Sequence, residues 1–397
     1  MTDFAATRAL FDLPDGVAYL DGNSLGPMAR AVPGRLARTL HEDWARELIG
    51  AWNSAGWMAL PDRLGDRIAP LIGVPPGTVT TGDTLSIKVY QALAAALALN
   101  PSRRAILSDD GNFPTDLYMA EGLARTLGRG HRVLAPPPEE VEAHLTEEVA
   151  ALMLTEVDYR TGRRHDMPRL LARARALGIV TIWDVAHSAG ALPVEAGAAG
   201  ADFVVGCTYK YLNSGPGGPA FIHVREGLAG RIEPALAGWL GHAAPFDFEP
   251  AYRPADAVRR LRVGTPPILQ MVALDAALDV WDIADIGDVH EESLRLSNRL
   301  IDGVEASCDD LSLASPREDG ARGSQVSFRH PEGYAIMQAL IARGVVGDFR
   351  APDILRFGIT PLYIGEAEID RDVATLAEIM DRRLWDDPAH RARQAVT

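Results

Sequence analysis

The stretches IVTIWDVAH (179–187) and ADFVVGCTYKY (201–211) decide how this chain reads. Each is a short apolar run rich in β-branched residues that ends abruptly in chemistry: Asp184 and His187 after the first, Lys210 after the second. Runs of this length with no polar alternation belong to strands buried on both faces, as in a parallel sheet. Working outward, the same texture recurs at AIL (105–107), RVL (132–134) and ALMLT (151–155). Helical patterns lie between the runs, at TDLYMAEGLARTLG (115–128) and MPRLLARARALG (167–178). The Ala/Leu-rich LSIKVYQALAAALAL (85–99) reads as a buried helix stopped by Asn100-Pro101. Alternation of this kind predicts βαβ units and an α/β fold with a mostly parallel central sheet. Ligands then sit beyond the carboxyl ends of the strands. After about residue 255 the texture changes to helices at 268–282 and 291–306 and shorter β-like runs at 311–316, 324–330, 345–350 and 354–360. That pattern predicts a smaller α+β region, with EAEIDRDVATLAEIMDRRLW as its last helix and PAHRARQAVT as a frayed tail.

Composition bounds the function. The 397 residues carry a formal charge of −15, 47% hydrophobic and 23% charged residues, the profile of a globular protein and not of a disordered one. The acidic balance argues against nucleic-acid binding through a basic surface. No uncharged apolar run is long enough to cross a membrane, and the start shows no basic n-region with an apolar core. Two cysteines, Cys207 and Cys308, build no disulfide framework, so a cytoplasmic location is expected. Of 39 Lys+Arg only Lys88 and Lys210 are lysines. Where charge alone is wanted this chain uses arginine, so a lysine marks a position where an amine that can lose its proton is useful, unless the two simply escaped a codon bias.

The flanks separate the two lysines. Lys210 lies between strand-like ADFVVGCT and PAFIHV, followed by the glycine-rich turn SGPGG. An Asp at one strand end and a Lys at the next suit pyridoxal 5'-phosphate (PLP): the amine condenses with the aldehyde and the carboxylate keeps the pyridine nitrogen protonated. An ordinary buried ion pair, with Asp184 capping a turn, is the alternative. Thr81-Gly82-Asp83-Thr84-Leu85-Ser86 opens the long helix and offers hydroxyls and free N–H groups to a phosphate, although Asp83 or Thr84 also serves as a plain N-cap. Lys88, one turn in, is either a phosphate neighbour or a solvated charge. Phe113, before Pro114, is placed to stack on a flat ring or to fill a core. Arg356 in ILRFGITPLY is placed to clamp a carboxylate or to make a surface ion pair. There is no GxGxxG after a strand, no GxxxxGK[ST], no GxSxG elbow between a strand and a helix and no metal-ligand spacing of histidines.

YLDGNSLGPM (19–28), FPTD (113–116), VDYRTG (157–162), WDVAHSAGALPVE (183–195), TYKYLNSGPGG (208–218), GWLGH (238–242) and GTPPIL (264–269) together resemble the kynureninase family, over nearly the whole chain and in one order. The resemblance implies a fold type I PLP enzyme of the aspartate-aminotransferase superfamily. Its implied parts are an N-terminal segment (1–60) packing with the small domain, a large PLP-binding domain (61–275) and a small C-terminal domain (276–397). It implies that Lys210 carries the cofactor, Asp184 pairs with its ring nitrogen, His187 lies beside the ring and Phe113 stacks on it, with Asp116 and Thr155 nearby. Leu85, Ser86 and Tyr209 bind the phosphate end. Trp239 and Thr265 complete the phosphate site from the partner subunit of a homodimer, and Arg356 holds the substrate α-carboxylate. Asn23, Trp52 and Gly264 are further implied substrate contacts. Where animal members have Asn before Pro-Pro this chain has Thr265, and where they have a His near the aryl ring it has Trp52, as bacterial-type members do; these favour L-kynurenine over its 3-hydroxy form. The implied reaction, in tryptophan degradation, is hydrolysis of L-kynurenine to anthranilate and L-alanine, with Lys210 and Tyr209 as candidate proton carriers. An aminotransferase or a cysteine desulfurase-like lyase is the alternative. No metal, nucleic acid or membrane is expected to take part.

Overall fold

The computed structural model describes residues 1–393. Seven strands form the central sheet: β1 Val79–Thr81, β2 Ala105–Leu107, β3 Arg132–Leu134, β4 Val149–Thr155, β5 Val180–Asp184, β6 Phe203–Gly206 and β7 Phe221–Val224. Their spatial order is β1-β7-β6-β5-β4-β2-β3. Only β7 runs against its neighbours. All seven residues of β4 are buried, because apolar side chains cover both of its faces; this is why its sequence shows no alternation. One face packs on a cluster that includes Leu64, Leu152, Leu154, Trp183 and Leu274. The other packs on α1 Leu85–Leu99 and α2 Pro114–Leu127 through Val89, Leu93, Leu123 and Met153. Local signals fix the helix ends: Pro114 opens α2 and Gly128 closes it at φ +60°, and Asp166 accepts a bond from Arg169 N (3.0 Å) to cap α3 Met167–Ala176.

Register brings the chemistry together. Thr155 sits opposite Asp184, and Asp184 opposite Val205, so the polar ends of β4, β5 and β6 lie side by side.

Beyond α4 Ile268–Ala277 and α5 Ile286–Ser307 comes a four-stranded antiparallel sheet. It consists of β8 Ser312–Leu313, β9 Gln325–Arg329, β10 Asp348–Arg350 and β11 Ile354–Gly358, in the order β8-β9-β11-β10. Helices α6 Gly333–Ile341 and α7 Glu366–Asp381 complete this part. The chain start joins it: Ala18 pairs with Val345, and Phe11, Ala18 and Leu20 share a core with Phe328 and Phe357. The expected frayed tail is ordered at first, a short turn at Pro388–His390 with Arg391 bonded to Asp386 at 2.6 Å; residues 394–397 lie outside the described residues. Among the described residues no helix is long and apolar enough to cross a membrane.

Candidate active site

Lys210 leaves β6 on a tightly held turn. Thr208 Oγ1 lies 2.6 Å from Pro219 O and 2.7 Å from Ser214 Oγ, and Asn213 N donates to Lys210 O at 2.9 Å. From the chain start, Gly26 N donates to Tyr209 O (2.8 Å). A Cβ at Gly26 would fall 2.4 Å from Lys210 O, so the glycine of the NSLG motif is required by close approach of two backbones. The turn is thereby fixed, and the Lys210 side chain beyond it is partly exposed.

Around that amine the structure gathers most of the expected residues. Lys210 Nζ donates to His187 Nε2 at 2.9 Å and lies 5.9 Å from the ring centroids of both Phe113 and Tyr209. Burial, with the charge of Lys210 second, pushes His187 well below the ordinary imidazole value. Its ring is therefore neutral; with Nε2 accepting, the proton sits on Nδ1, which is buried without a partner. Asp184, buried at the end of β5, accepts from Ala186 N at 2.9 Å and flanks Thr155, whose hydroxyl donates to Asn112 Oδ1 at 2.5 Å. Burial raises Asp184 to about 6 against the lowering effect of Lys210. Asp116 is driven well above the carboxylate range by burial and by the charge of Asp184, and its Oδ2 has no partner. Phe113 is 42% exposed and meets Tyr159 edge-on at 5.2 Å, so one face of its ring is open. Tyr209 is raised by its contact with Cys207, then by burial, and stays a phenol.

Leu85 and Ser86 open α1 next door. Gly82 N donates to Ala220 O (2.8 Å), and Ala220 N to Asp83 O (3.1 Å), so the loop before α1 is tied to the segment that closes the Lys210 turn. Thr84 is extended and makes no side-chain cap; the first amides of a 15-residue helix are left for an anion. Lys88 is neither a solvated charge nor an open phosphate neighbour. It is 1% exposed. Its Nζ donates to Asp83 Oδ2 (2.9 Å), Gln91 Oε1 (3.1 Å) and Leu261 O (3.2 Å), because α1 is buried almost all round and leaves no polar face for it.

Arg356 lies on β11 directly opposite Asp348 of β10. It is buried, with Nε donating to Asp348 Oδ1 (2.6 Å), Nη1 to Tyr159 O (2.6 Å) and Nη2 to Ser24 Oγ (2.6 Å) and Asp348 Oδ2. Asn23 is wholly buried and donates to Gln325 Oε1 at 3.2 Å, while Gln325 Nε2 donates to Tyr159 O at 3.2 Å. This network ties Phe113, through Tyr159, to Arg356. Sequence reasoning missed Asp21, Asp348 and Arg350; the alternation Asp348-Phe349-Arg350 was visible, but not which strand it would face.

Four expected residues stay apart from Lys210 within one chain. Trp52 packs edge-on against Trp57 (5.6 Å). Trp239 is 41% exposed, and Gly264 and Thr265 are exposed. GWLGH and GTPP are nevertheless neighbours: a Cβ at Gly238 would fall 1.9 Å from Val263 O, so the two loops form one surface unit.

The residues present fit PLP: an amine beside a neutral imidazole, an open aromatic face, unpartnered buried polar atoms on Asp116 and His187, and an uncapped helix start for the phosphate. Among the described residues no three His, Cys, Asp or Glu side chains gather as metal ligands. The fold has solved counterparts. An apo cysteine desulfurase from Thermococcus onnurineus NA1 matches with a TM-score of 0.81 at 18% identity, covering 95% of this chain and 98% of that one. A C-DES variant with glycine covalently linked to its PLP cofactor matches at 0.80 and 19% identity, covering 94% and 99%. Fold and site together define a PLP-dependent enzyme of fold type I. The kynureninase of Deinococcus radiodurans is 51% identical over 95% of this chain and 93% of its own, and that of Pseudomonas fluorescens 46% identical over 99% and 96%. The kynureninase C-terminal domain model matches residues 289–376. The chain belongs to the kynureninase family.

Proposed function

We propose that this enzyme hydrolyses L-kynurenine to anthranilate and L-alanine, with preference over 3-hydroxykynurenine. The observation that carries the reading is Lys210 Nζ, held by neutral His187 between the rings of Phe113 and Tyr209 and facing Asp184, in a chain about half identical to kynureninases. When bound, PLP supplies an electron sink for electrons released at the substrate's α- and β-carbons. The protein's own residues do the rest. Phe113 and His187 hold the ring plane, and Asp184 keeps negative charge at the pyridine nitrogen. Leu85 and Ser86 amides and Tyr209 hold the phosphate. Arg356 fixes the α-carboxylate and so orients the α-hydrogen toward Lys210. The Lys210 amine removes that proton and returns it. Water adds to the γ-carbonyl, the Cβ–Cγ bond breaks to release the aryl acid, and the Tyr209 phenol, kept protonated by its surroundings, delivers a proton to Cβ.

Trp239, Gly264 and Thr265 belong in this reading to the neighbouring site of a homodimer. Their joint exposure supports it, as do exposed Trp44, Leu48 and Ile49 (56%, 62% and 81%). The preference for the unhydroxylated ring rests on Trp52 and Thr265. The three-part division of the chain, a cytoplasmic location and a place in tryptophan degradation complete the proposal. Against a desulfurase-like lyase stand the thiols: Cys308 is buried and raised to about 11 by burial, and Cys207 is buried and also raised, where a nucleophile needs a lowered value and access.

Adding L-kynurenine to the PLP-loaded protein should release anthranilate, read by its fluorescence, in equal amount with alanine. Lys210→Ala should abolish release while PLP still binds. A protein that binds PLP and leaves kynurenine intact would refute the reading.

A further inference from the structure

Arg356 is not a lone cation. Arg350 Nη2 lies 2.8 Å from Asp348 Oδ2 and 3.2 Å from Ser24 Oγ, and Ser24 Oγ donates to Asp348 Oδ2 at 2.5 Å. Behind them is Asp21, whose carboxyl contacts both Ser24 and Asp348 and whose Oδ1 is buried without a partner. Arg356 Nη1 donates to Tyr159 O (2.6 Å), Tyr159 meets Phe113 at 5.2 Å, and the Phe113 ring lies 5.9 Å from Lys210 Nζ, which connects the cluster to the Lys210 site. The charges facing Asp21 are Asp348 and Arg350 from β10 and Arg356 from β11; the other titratable groups are the phenols of Tyr19, Tyr211 and Tyr363, all held protonated by burial.

Two guanidiniums against one carboxylate leave one positive charge for an incoming anion, while two carboxylates leave none. Resting on the reading of Arg356 as the α-carboxylate clamp, we propose that Asp21 and Asp348 are positioning carboxylates that share a proton behind Arg356, so that the clamp holds a carboxylate when Asp21 is protonated and releases it when Asp21 ionises. Asp348 keeps its negative charge because it takes both Nε and Nη2 of Arg356, and its value is lowered by Arg356. Asp21 has no such partner; burial and the charge of Asp348 raise it to about 7. The switch therefore falls in the working range. Four hydrogen bonds already occupy Arg356, so net charge rather than an empty fork decides affinity.

The test is calorimetric binding to the PLP-loaded enzyme of 3-benzoylpropanoate, an aryl γ-keto acid without an amine, with butyrophenone as the same ketone lacking the carboxylate. For the wild type, the Kd of benzoylpropanoate should rise several-fold between pH 6 and 8, with about tenfold as the ceiling for strictly exclusive binding, and butyrophenone should not follow. Asp21→Asn, which keeps the shape, should flatten that rise; Asp21→Ser gives a second neutral side chain should the first misfold. Equal slopes in wild type and both variants overturn the proposal. Arg356→Gln, which removes the charge, tests the underlying reading separately. If it leaves the preference for benzoylpropanoate over butyrophenone intact, Arg356 is no carboxylate clamp and the pair behind it falls too; if it removes the preference while the Asp21 variants keep the wild-type slope, only the proton-sharing pair is refuted.

Discussion

Replacing Lys88 by Met should loosen the cofactor's phosphate end without touching the chemistry at Lys210. The lysine's three N–H groups go to Asp83, Gln91 and the carbonyl of Leu261, and the amine is shut away from water. Methionine keeps most of the stem and removes the charge. Taking one partner from a buried pair costs about 3–5 kcal/mol, but the Asp83 side chain is 30% exposed and turns to water, and Leu261 O keeps the bond from Gln91 Nε2 at 3.0 Å. The expected loss is therefore smaller, about 2–3 kcal/mol. For a chain of this size that lowers the melting midpoint by roughly 3 °C. The local effect is more specific. Asp83 is held at φ +55°, an uncommon conformation for a residue other than glycine, with Lys88 as its anchor. Released, it lets Gly82–Thr84 relax and disorders the first amides of α1. Leu261 runs on to the Gly264-Thr265 turn, so that loop loosens as well. PLP affinity, titrated by absorbance into the apoprotein, should fall about tenfold or more, whereas kcat at saturating PLP should change little. A Lys88→Met protein that melts within a degree of wild type and binds PLP equally well would show that the ammonium is dispensable and the reasoning wrong.

Asp372, on α7, is wholly buried with neither oxygen partnered, and burial raises it to about 8. The folded state thus holds a proton that the unfolded state gives up near pH 4, so stability falls as pH rises through that window and is lowest above 8; Asp372→Asn should remove this slope, gaining up to about 5 kcal/mol at pH 8 and little at pH 4, as chemical denaturation at the two pH values would read. At Gly238 a Cβ meets Val263 O, whereas at Gly230 it meets nothing. Gly238→Ala should separate the GWLGH and GTPP loops and lower PLP content and dimer yield on gel filtration, with Gly230→Ala unchanged; equal behaviour of the two would remove that surface unit from the cofactor site.

What the sequence disclosed follows from what burial does to a strand. β4 to β6 are covered on both faces, so their sequences are uninterrupted apolar runs, and any polar residue at an end stands out: Thr155, Asp184 and Lys210 were visible for this reason. β1, Val79-Thr80-Thr81, sits at the sheet edge with two threonines, carries no such contrast and was missed. Helix ends were legible where proline or glycine sets the backbone, as at Pro114 and Gly128. The Asp348–Arg356 pair was not, because it exists only through the register of β10 on β11, and no local pattern states which residues will be opposed across an irregular connection.

Lysine scarcity proved a better guide than helix periodicity. On α1 nearly every position is apolar, so the hydrophobic pattern has no polar face and says nothing of where Lys88 points. Its rarity said that an arginine was not an equivalent substitute, and the structure gives the physical reason. A compact ammonium with three donors reaches Asp83, Gln91 and Leu261 O from inside a closed pocket, whereas a planar guanidinium would not fit that trio without displacing the turn. At Lys210 the reason differs: the proposed reaction needs an amine that gains and loses a proton, and a guanidinium does not do so. Among 39 basic residues, the two that are not arginine stand, in the proposed reading, at the two ends of one cofactor site, one by reactivity and the other by shape.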